Sequence, residues 1–337
     1  MSSNLDYDLF SRVAREAPDA LSVDRAASEM GRDPDLICSS IESLVAAGFP
    51  LEYTRGASSV RLLVDAPRAG CVHGIPGWGE ATTIFLANCG STQEIVRAKI
   101  AGGTRLPILV LSESQTSGRG THGRAWFTPP GAGLYFSLGL RPKLDYRYLH
   151  LLPLLLGVAL AEAISAETGF EPTLKWKNDL LGPDTRKFGG VLVEPKYSPE
   201  GVLDHLIVGV GINVRSFSAA KELGASGLEE YSGPTSRHQL LNAILRAVDR
   251  HVTLAEASDP GAVLERWRRA NSTIGRAVQV LGQEESPFEA VAVDIADDGA
   301  LIVETSAGEH RRVYGRVLLV PPKPSGAVDV PMPHVRK

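Results

Sequence analysis

The sequence predicts an α+β protein built in three segments, and three observations carry that expectation. Residues 1–66 hold three short amphipathic helical stripes followed by two strand-like pieces around a turn. Residues 67–271 alternate apolar strand-like runs with helices. Residues 272–322 read as strands and turns alone, and the Pro-rich tail at 323–337 has the composition of a disordered segment. A length of 337 residues allows this division, and a hydrophobic fraction of 43% supports a real core. The net charge of -4 excludes a generic nucleic-acid binder. Cys38, Cys71 and Cys89 are few, odd in number and without CxxC spacing, which speaks against a disulfide framework or a cysteine zinc site and fits a reducing cytoplasm. Met1 to Asp6 show no secretory signal. The longest apolar run, Leu149 to Ile164, is interrupted by His150, Pro153 and Glu162 and reads as a buried helix, not a membrane span.

In the first segment, Leu5, Leu9, Phe10 and Val13 share a helical face that Pro18 ends. Leu21-Ser22-Val23-Asp24 starts a second helix, with Ala26, Ala27 and Met30 inward and Gly31 as its stop. Asp33-Pro34 reads as N-cap and first-turn proline of a third, whose stripe is Leu36, Ile37, Ile41, Leu44 and Val45. Strand-like pieces at 51–54 and 60–64 flank the turn Arg55-Gly56-Ala57-Ser58. Three helices and a hairpin are the order of a winged helix-turn-helix, which raises DNA binding. The charge weighs against it: residues 1–66 carry eleven acidic and six basic residues, and Pro34 to Ala47 holds no Lys or Arg. The alternative is an accessory domain packed on the rest of the chain.

Residues 66–70 read as a linker. Thr82 to Leu86 reads as a strand leading into Ser91-Thr92-Gln93 and a helix to Ala101. Ser91 and Thr92 serve either as caps or as hydroxyls presented to a ligand. Between the strand-like runs Leu106–Leu111 and Leu134–Leu140 lies Gln115-Thr116-Ser117-Gly118-Arg119-Gly120-Thr121-His122-Gly123-Arg124-Ala125-Trp126. Its glycines open the backbone to close approach, and Arg119 and Arg124 bring bidentate cationic donors. That combination suits a phosphate-like anion; a mobile hairpin with solvated arginines is the competing reading. Leu174-Lys175-Trp176-Lys177-Asn178-Asp179 ends a strand in turn chemistry. Lys187-Phe188-Gly189-Gly190 enters a buried strand, so Lys187 is either a turn lysine or a cation over a pocket. Asn213 closes the apolar run from Leu206 and needs partners. Short strands at 277–281, 288–295, 300–304 and 311–320 complete the chain.

Five blocks, from Gly90-Ser91-Thr92-Gln93 through the loop, Lys175-Trp176-Lys177-Asn178-Asp179 and Lys187-Phe188-Gly189-Gly190 to Gly209-Val210-Gly211-Ile212-Asn213, resemble biotin protein ligase in order and rough spacing. With the N-terminal helices, the chain resembles the bifunctional ligase/repressor form. The resemblance implies a class II synthetase-like mixed α/β catalytic domain and a C-terminal SH3-like β-barrel. It implies ATP, Mg²⁺ and biotin as reactants, and a biotin carboxyl carrier protein of acetyl-CoA carboxylase as partner. Homodimerisation is left open. Biotin's carboxylate attacks the α-phosphate of ATP, and a carrier lysine then attacks the resulting anhydride. Carried over by position, Lys187, Arg119, Arg124 and Asp179 form the catalytic set, with Asp179 orienting the incoming lysine or taking its proton. Ser91, Thr92, Gln93, Gln115, Arg119, Gly120, Thr121, Lys187 and Gly190 fall at biotin-binding positions. Arg119, Arg124, Trp126, Asn178, Lys187 and Asn213 fall at ATP-binding positions, with core packing the alternative for Trp126. No protein metal ligands are expected.

Lipoate ligase is a second reading, and a biotin-sensing DNA regulator with weak ligation a third. Three departures from the family stand out: Gln93 for Asn, Lys177 for Pro, and Thr121 for Arg. The last leaves the loop one cation short, so the adenylate is expected to be held loosely. Thr121→Arg is predicted to slow adenylate dissociation; an unchanged off-rate would sink the idea.

Overall fold

Three helices open the chain: α1 (Tyr7–Glu16), α2 (Val23–Met30) and α3 (Pro34–Ala46). The structure, a computed structural model, describes residues 5–68, 72, 74–76, 78–144, 150–199, 202–256, 260–282 and 286–320. Cys71, the end of the expected linker at 69–70 and the tail at 323–337 lie outside the described residues. Each of the first three helices starts on an oxygen that satisfies an orphan amide: Asp6 accepts from Leu9, Ser22 from Arg25 and Asp33 from Asp35. Gly31 ends α2 at φ 60°, where a side chain would be strained. β1 (Leu21–Ser22), β2 (Leu51–Glu52) and β3 (Ser59–Leu62) pair antiparallel in the order β1-β3-β2. Leu36 and Val45, expected in the apolar stripe of α3, point outward at 57% and 38% exposure. Ile37, Ile41 and Leu44 suffice to bury that helix, and the stripe is narrower than its composition suggests.

A seven-stranded sheet follows. Its members are β4 (Thr82–Cys89), β5 (Ile108–Gln115), β6 (Gly133–Leu140), β7 (Thr173–Lys175), β8 (Asp179–Leu181), β9 (Lys187–Tyr197) and β10 (Leu203–Asn213). The order is β4-β5-β6-β10-β9-β8-β7, with β4 and β5 parallel and every other pair antiparallel. β5 starts two residues later than expected and runs to Gln115. Asp179, read as part of a turn, opens β8.

α4 (Thr92–Ala101) packs over β5, β6 and β10. Val96 is the centre of that contact, in a cluster with Ile108, Val110 and Ile207. A Cβ on Gly139 would lie 3.0 Å from Val96 and 2.9 Å from Leu106, so the sheet gives up a side chain there to admit the helix. α5 (Leu152–Thr168) is buried around most of its circumference and packs on β9, on α7 (Arg237–Glu256) and on α8 (Pro260–Ala270). A short α6 (Glu229–Ser232) precedes α7. Among the described residues no helix is long and apolar enough to cross a membrane.

The chain divides into two units, Met1–Asn271 and Ser272–Lys337, so the N-terminal helices fall in the same unit as the seven-stranded sheet. Their core runs into the sheet: Ala87 of β4 sits in the N-terminal cluster, and Phe10 meets Phe85 edge-on at 5.9 Å. A polar joint lies beside it. Asp65 pairs with Arg215, and the Arg237 Nε stands 3.9 Å from the same carboxylate. Arg237 is fully buried and donates to Glu113 at 2.8 Å and to the Gly133 carbonyl at 3.1 Å. Glu113 also accepts from the Gly131 amide at 3.0 Å, and a Cβ on Gly131 would lie 2.4 Å from the Gly48 carbonyl.

In the second unit, β11 (Ala277–Leu281), β12 (Phe288–Ile295), β13 (Leu301–Thr305), β14 (His310–Val313) and β15 (Arg316–Leu319) form an antiparallel sheet in the order β14-β13-β12-β11-β15. The expected strand 311–320 is divided between β14 and β15, which lie on opposite edges.

Glu113→Ala is predicted to cost about 3–5 kcal/mol, because it strips a buried guanidinium of its counter-ion. Urea unfolding of the whole chain measures this; a loss below about 1 kcal/mol would mean the pair is not what holds the joint.

Candidate functional site

A cleft of about 460 Å³, counting its open mouth, lies where α4 starts, beside the glycine-rich loop and over one face of β9 and β10. Eleven sequence-predicted residues line it: Ser91, Thr92, Gln93, Gln115, Arg119, Gly120, Thr121, Trp126, Asn178, Lys187 and Gly190. Gly209 and Gly211 form its floor. They are two apart on β10, and cross-strand register puts them opposite Leu192 and Gly190, on the same face. A Cβ on Gly211 would sit 2.7 Å from the Trp126 indole, and one on Gly209 would sit 2.8 Å from the Gln93 side chain. The missing side chains make the cleft's depth and seat two of its walls.

At one wall, Gln115 reaches from β5 to the first turn of α4. Its Oε1 accepts from the Thr92 amide at 2.8 Å and from the Thr92 hydroxyl at 3.2 Å. The Thr92 hydroxyl also meets Ser137 at 2.7 Å. Ser91, the N-cap residue, makes no capping bond with its own side chain. An orphan-amide helix end and small hydroxyls thus face the cleft.

The loop is a hairpin, tied at its start to the end of β4. Thr116 and Ser117 amides donate to Cys89 and Gly90 carbonyls at 2.8 Å, Gly120 donates to Arg124 at 2.7 Å, and Trp126 donates to Gly118 at 2.9 Å. Its tip is a single 3₁₀ turn, Thr121–Gly123, with His122 at φ 59°. Arg119 is exposed, its guanidinium 3.7 Å from Glu94 on α4. A surface ion pair of that length is weak and leaves the arginine available.

At the opposite wall stands a charge cluster built on the buried Asp179, with the half-buried Lys187 and Lys175 on either side. Lys187 Nζ donates to one oxygen of Asp179, and Lys175 Nζ donates to the other at 3.1 Å. Burial pushes the Asp179 carboxyl up, but the two ammonium groups outweigh it and hold it below the usual carboxylate range. Burial likewise draws the Lys187 ammonium below the ordinary lysine range, against the pull of Asp179. Lys187 also sits 5.1 Å from the centroid of the Trp126 ring. The result is a fixed cation at the cleft wall whose direction Asp179 sets. With both oxygens engaged, Asp179 reads here as a positioning group for Lys187 more than as an open base.

Three predicted residues lie off the cleft lining. Asp179 stands behind Lys187. Arg124 is exposed at the loop's end, near enough to act on the Lys187 charge. Asn213 is buried and donates to the Ser226 carbonyl at 3.2 Å, so in this structure it anchors the neighbouring segment. Conversely, the floor glycines, Ser137 and Leu192 carried no role in the sequence reading. The i, i+2 glycines in the otherwise apolar run from Leu206 to Ile212 were the available signal.

Comparison with known proteins gives the same regions. A model described as the biotin/lipoate A/B protein ligase family matches residues 92–213, and one described as the biotin protein ligase C-terminal domain matches 273–315. A "Bifunctional ligase/repressor BirA" from Bacillus spizizenii is 27% identical over 329 residues, covering 93% of this chain and 98% of the relative. A "Biotin--[acetyl-CoA-carboxylase] ligase" from Mycobacterium tuberculosis is 27% identical, covering 68% of this chain and 84% of the relative. Among solved structures, an Aquifex aeolicus biotin protein ligase in complex with biotin and ATP superposes with a TM-score of 0.60 and 28% identity, over 71% of this chain and 98% of that one.

Gly211→Ala is predicted to cost about 1–3 kcal/mol by driving the new methyl into the Trp126 ring. In a Trp126→Ala background the same substitution should cost far less. Denaturant titration of the four proteins measures this, and simple additivity would show that the indole is not what Gly211 accommodates.

Proposed function

We infer that this chain, which carries a biotin/lipoate protein ligase catalytic domain over residues 92–213 and a biotin protein ligase C-terminal domain over 273–315, is an ATP-dependent biotin protein ligase. The observation that carries the reading is the cleft itself, which brings a glycine-rich cationic hairpin and a half-buried lysine, held by a buried aspartate, to one space. In the first reaction biotin's carboxylate oxygen attacks the α-phosphorus of ATP; pyrophosphate leaves and biotinyl-5′-adenylate forms. In the second a lysine amine attacks the anhydride carbonyl, AMP leaves, and an amide remains.

Both reactants of the first step are anionic, so the barrier is chiefly one of charge and placement. Lys187 is the group best placed to neutralise the approaching carboxylate and α-phosphate, with Asp179 and Lys175 fixing its position. Arg119 and Arg124 would close on the phosphates as the hairpin folds over them. Ser91, Thr92 and Gln115 would meet the polar end of biotin, and Gly190, where a Cβ would lie 3.1 Å from Lys187 Nζ, leaves room beside the lysine. Trp126 would flank the nucleotide, with Asn178 beside it. Mg²⁺ enters this scheme with the substrate, bound to the phosphates of ATP. The partner would be a carrier domain with an exposed lysine, as in the biotin carboxyl carrier protein of acetyl-CoA carboxylase.

We read residues 1–66 as a winged helix-turn-helix and the second unit as an SH3-like barrel. The regulator reading is the weaker one. Arg12, Arg25, Arg32, Arg55 and Arg61 each pair with a carboxylate within the N-terminal segment. The outward face of α3 presents Asp35, Leu36, Ser39 and Ser43. Phosphates would have to displace those carboxylates one by one.

Incubation of the protein with ATP, biotin and a carrier domain should add one biotin to the carrier by mass. Lys187→Ala should lower the rate of adenylate formation by about 10²–10³-fold. Labelling with lipoate in place of biotin would point to the sister activity, and no labelling with either would overturn the reading.

A further inference from the structure

Gln93 enters the cleft from the first turn of α4, and its side-chain amide has two unlike ends. The nitrogen is spoken for: Nε2 donates to Glu194 on β9 at 3.0 Å and points to the Leu192 carbonyl at 3.5 Å. Both partners are acceptors, so the NH₂ group must face them and the oxygen must face the other way. That other way is the cleft floor, where Oε1 would stand 2.9 Å from a Cβ on Gly209. Among the described residues, Oε1 has no hydrogen-bond partner. Glu194 itself is held in place. Arg97, one turn along α4 from Gln93, donates to the same carboxylate oxygen at 2.9 Å and pairs with Glu94 at 2.6 Å. Glu194 does not line the cleft and is 41% exposed at its side chain.

We propose that Glu194 is a specificity-determining positioning residue: by holding the Gln93 amide nitrogen, it fixes an acceptor oxygen toward the ligand and selects ligands whose head group carries N–H donors. The proposal rests on the biotin ligase reading. Biotin's ureido ring carries two N–H groups, whereas the dithiolane ring of lipoate carries none. A dithiolane in the same place would leave Oε1 desolvated and unpaired, which is how a polar site rejects an analogue lacking the matching donor. A charge-assisted bond to a carboxylate holds the amide more firmly than a neutral one, which is why an acid at 194 suits this task.

The test is a charge series at position 194, with the affinity for biotin read by calorimetry without ATP and turnover read by pyrophosphate release. Glu194→Gln can still accept from Gln93 and should weaken biotin binding slightly. Glu194→Ala frees the amide and should weaken it about tenfold. Glu194→Lys can only donate, so it inverts the amide and should weaken binding further than alanine does. Turnover at saturating biotin should stay within about twofold of wild type across the series, and the preference for biotin over lipoate should narrow in step with affinity. In a Gln93→Ala background the three substitutions should have no further effect. Thermal melting of each variant separates loss of fold from loss of specificity. Equal affinity in all four proteins, alanine and lysine effects in the reverse order, or an undiminished effect without Gln93 would each overturn the proposal while the ligase reading stands. A wild-type protein that neither binds biotin nor forms the adenylate would overturn both.

Discussion

The cleft exists because two adjacent strands forgo side chains on one face. Gly190 on β9 and Gly209 and Gly211 on β10 lie together in the middle of a seven-stranded sheet, where a β-branched residue would ordinarily pack against a helix. Glycine in a strand costs conformational entropy and packs nothing. Here the vacant volume is used at once by Trp126, Gln93 and Lys187, which come from a hairpin, a helix start and a strand start. Three separate stretches of chain can thus meet over one flat patch of backbone. The sheet supplies the rigidity, and the side chains that define chemistry are brought in from its margins.

Electrostatics then divides the cleft into ends. At one end a half-buried lysine is fixed by the buried Asp179, which also pairs with Lys175; at the other, neutral amides and hydroxyls are tied to one another through Gln115, Thr92 and Ser137. A molecule with a polar uncharged head and an anionic tail matches that gradient. Arg119 of the hairpin stands at the mouth with Arg124 nearby, where an exposed guanidinium gives little until an anion arrives to share its charge.

Much of this was legible in the sequence because it depends on local chemistry. The cap at Asp33, the helix start around Ser22, the stop at Gly31 and the hairpin glycines all act within a few residues, so spacing alone reveals them; the cap at Asp6 came only with the structure. Most of the cleft residues sit in short blocks whose residue types already match an anion-handling task. What stayed hidden depends on long-range pairing. Glu194 lies 101 positions from Gln93, and Glu113 lies 124 from Arg237; no periodicity marks such partners. Leu36 and Val45 mislead because helical spacing does not say how wide the buried stripe is. Asp179 looked like turn chemistry, since Asn-Asp is turn-like until a strand pairing claims its second member.

The joint around Asp65 carries a consequence for how the first unit behaves as a material. Its arginines and carboxylates link the end of the N-terminal segment to β5, to the start of β6 and to the first turn of α7, and Gly131 in that joint lies a few residues beyond the ligand hairpin. The Arg237–Glu113 pair at its centre is fully buried, so pulling β5 from α7 would strand an unpaired ion in a low-dielectric surrounding, while the half-exposed Asp65–Arg215 pair ties the N-terminal segment to its edge. The N-terminal helices are therefore not a cassette clipped onto an enzyme. Gly48, just past α3, lies against Pro130 and Gly131, so the turn that follows the hairpin is packed on the N-terminal segment as well as on the sheet.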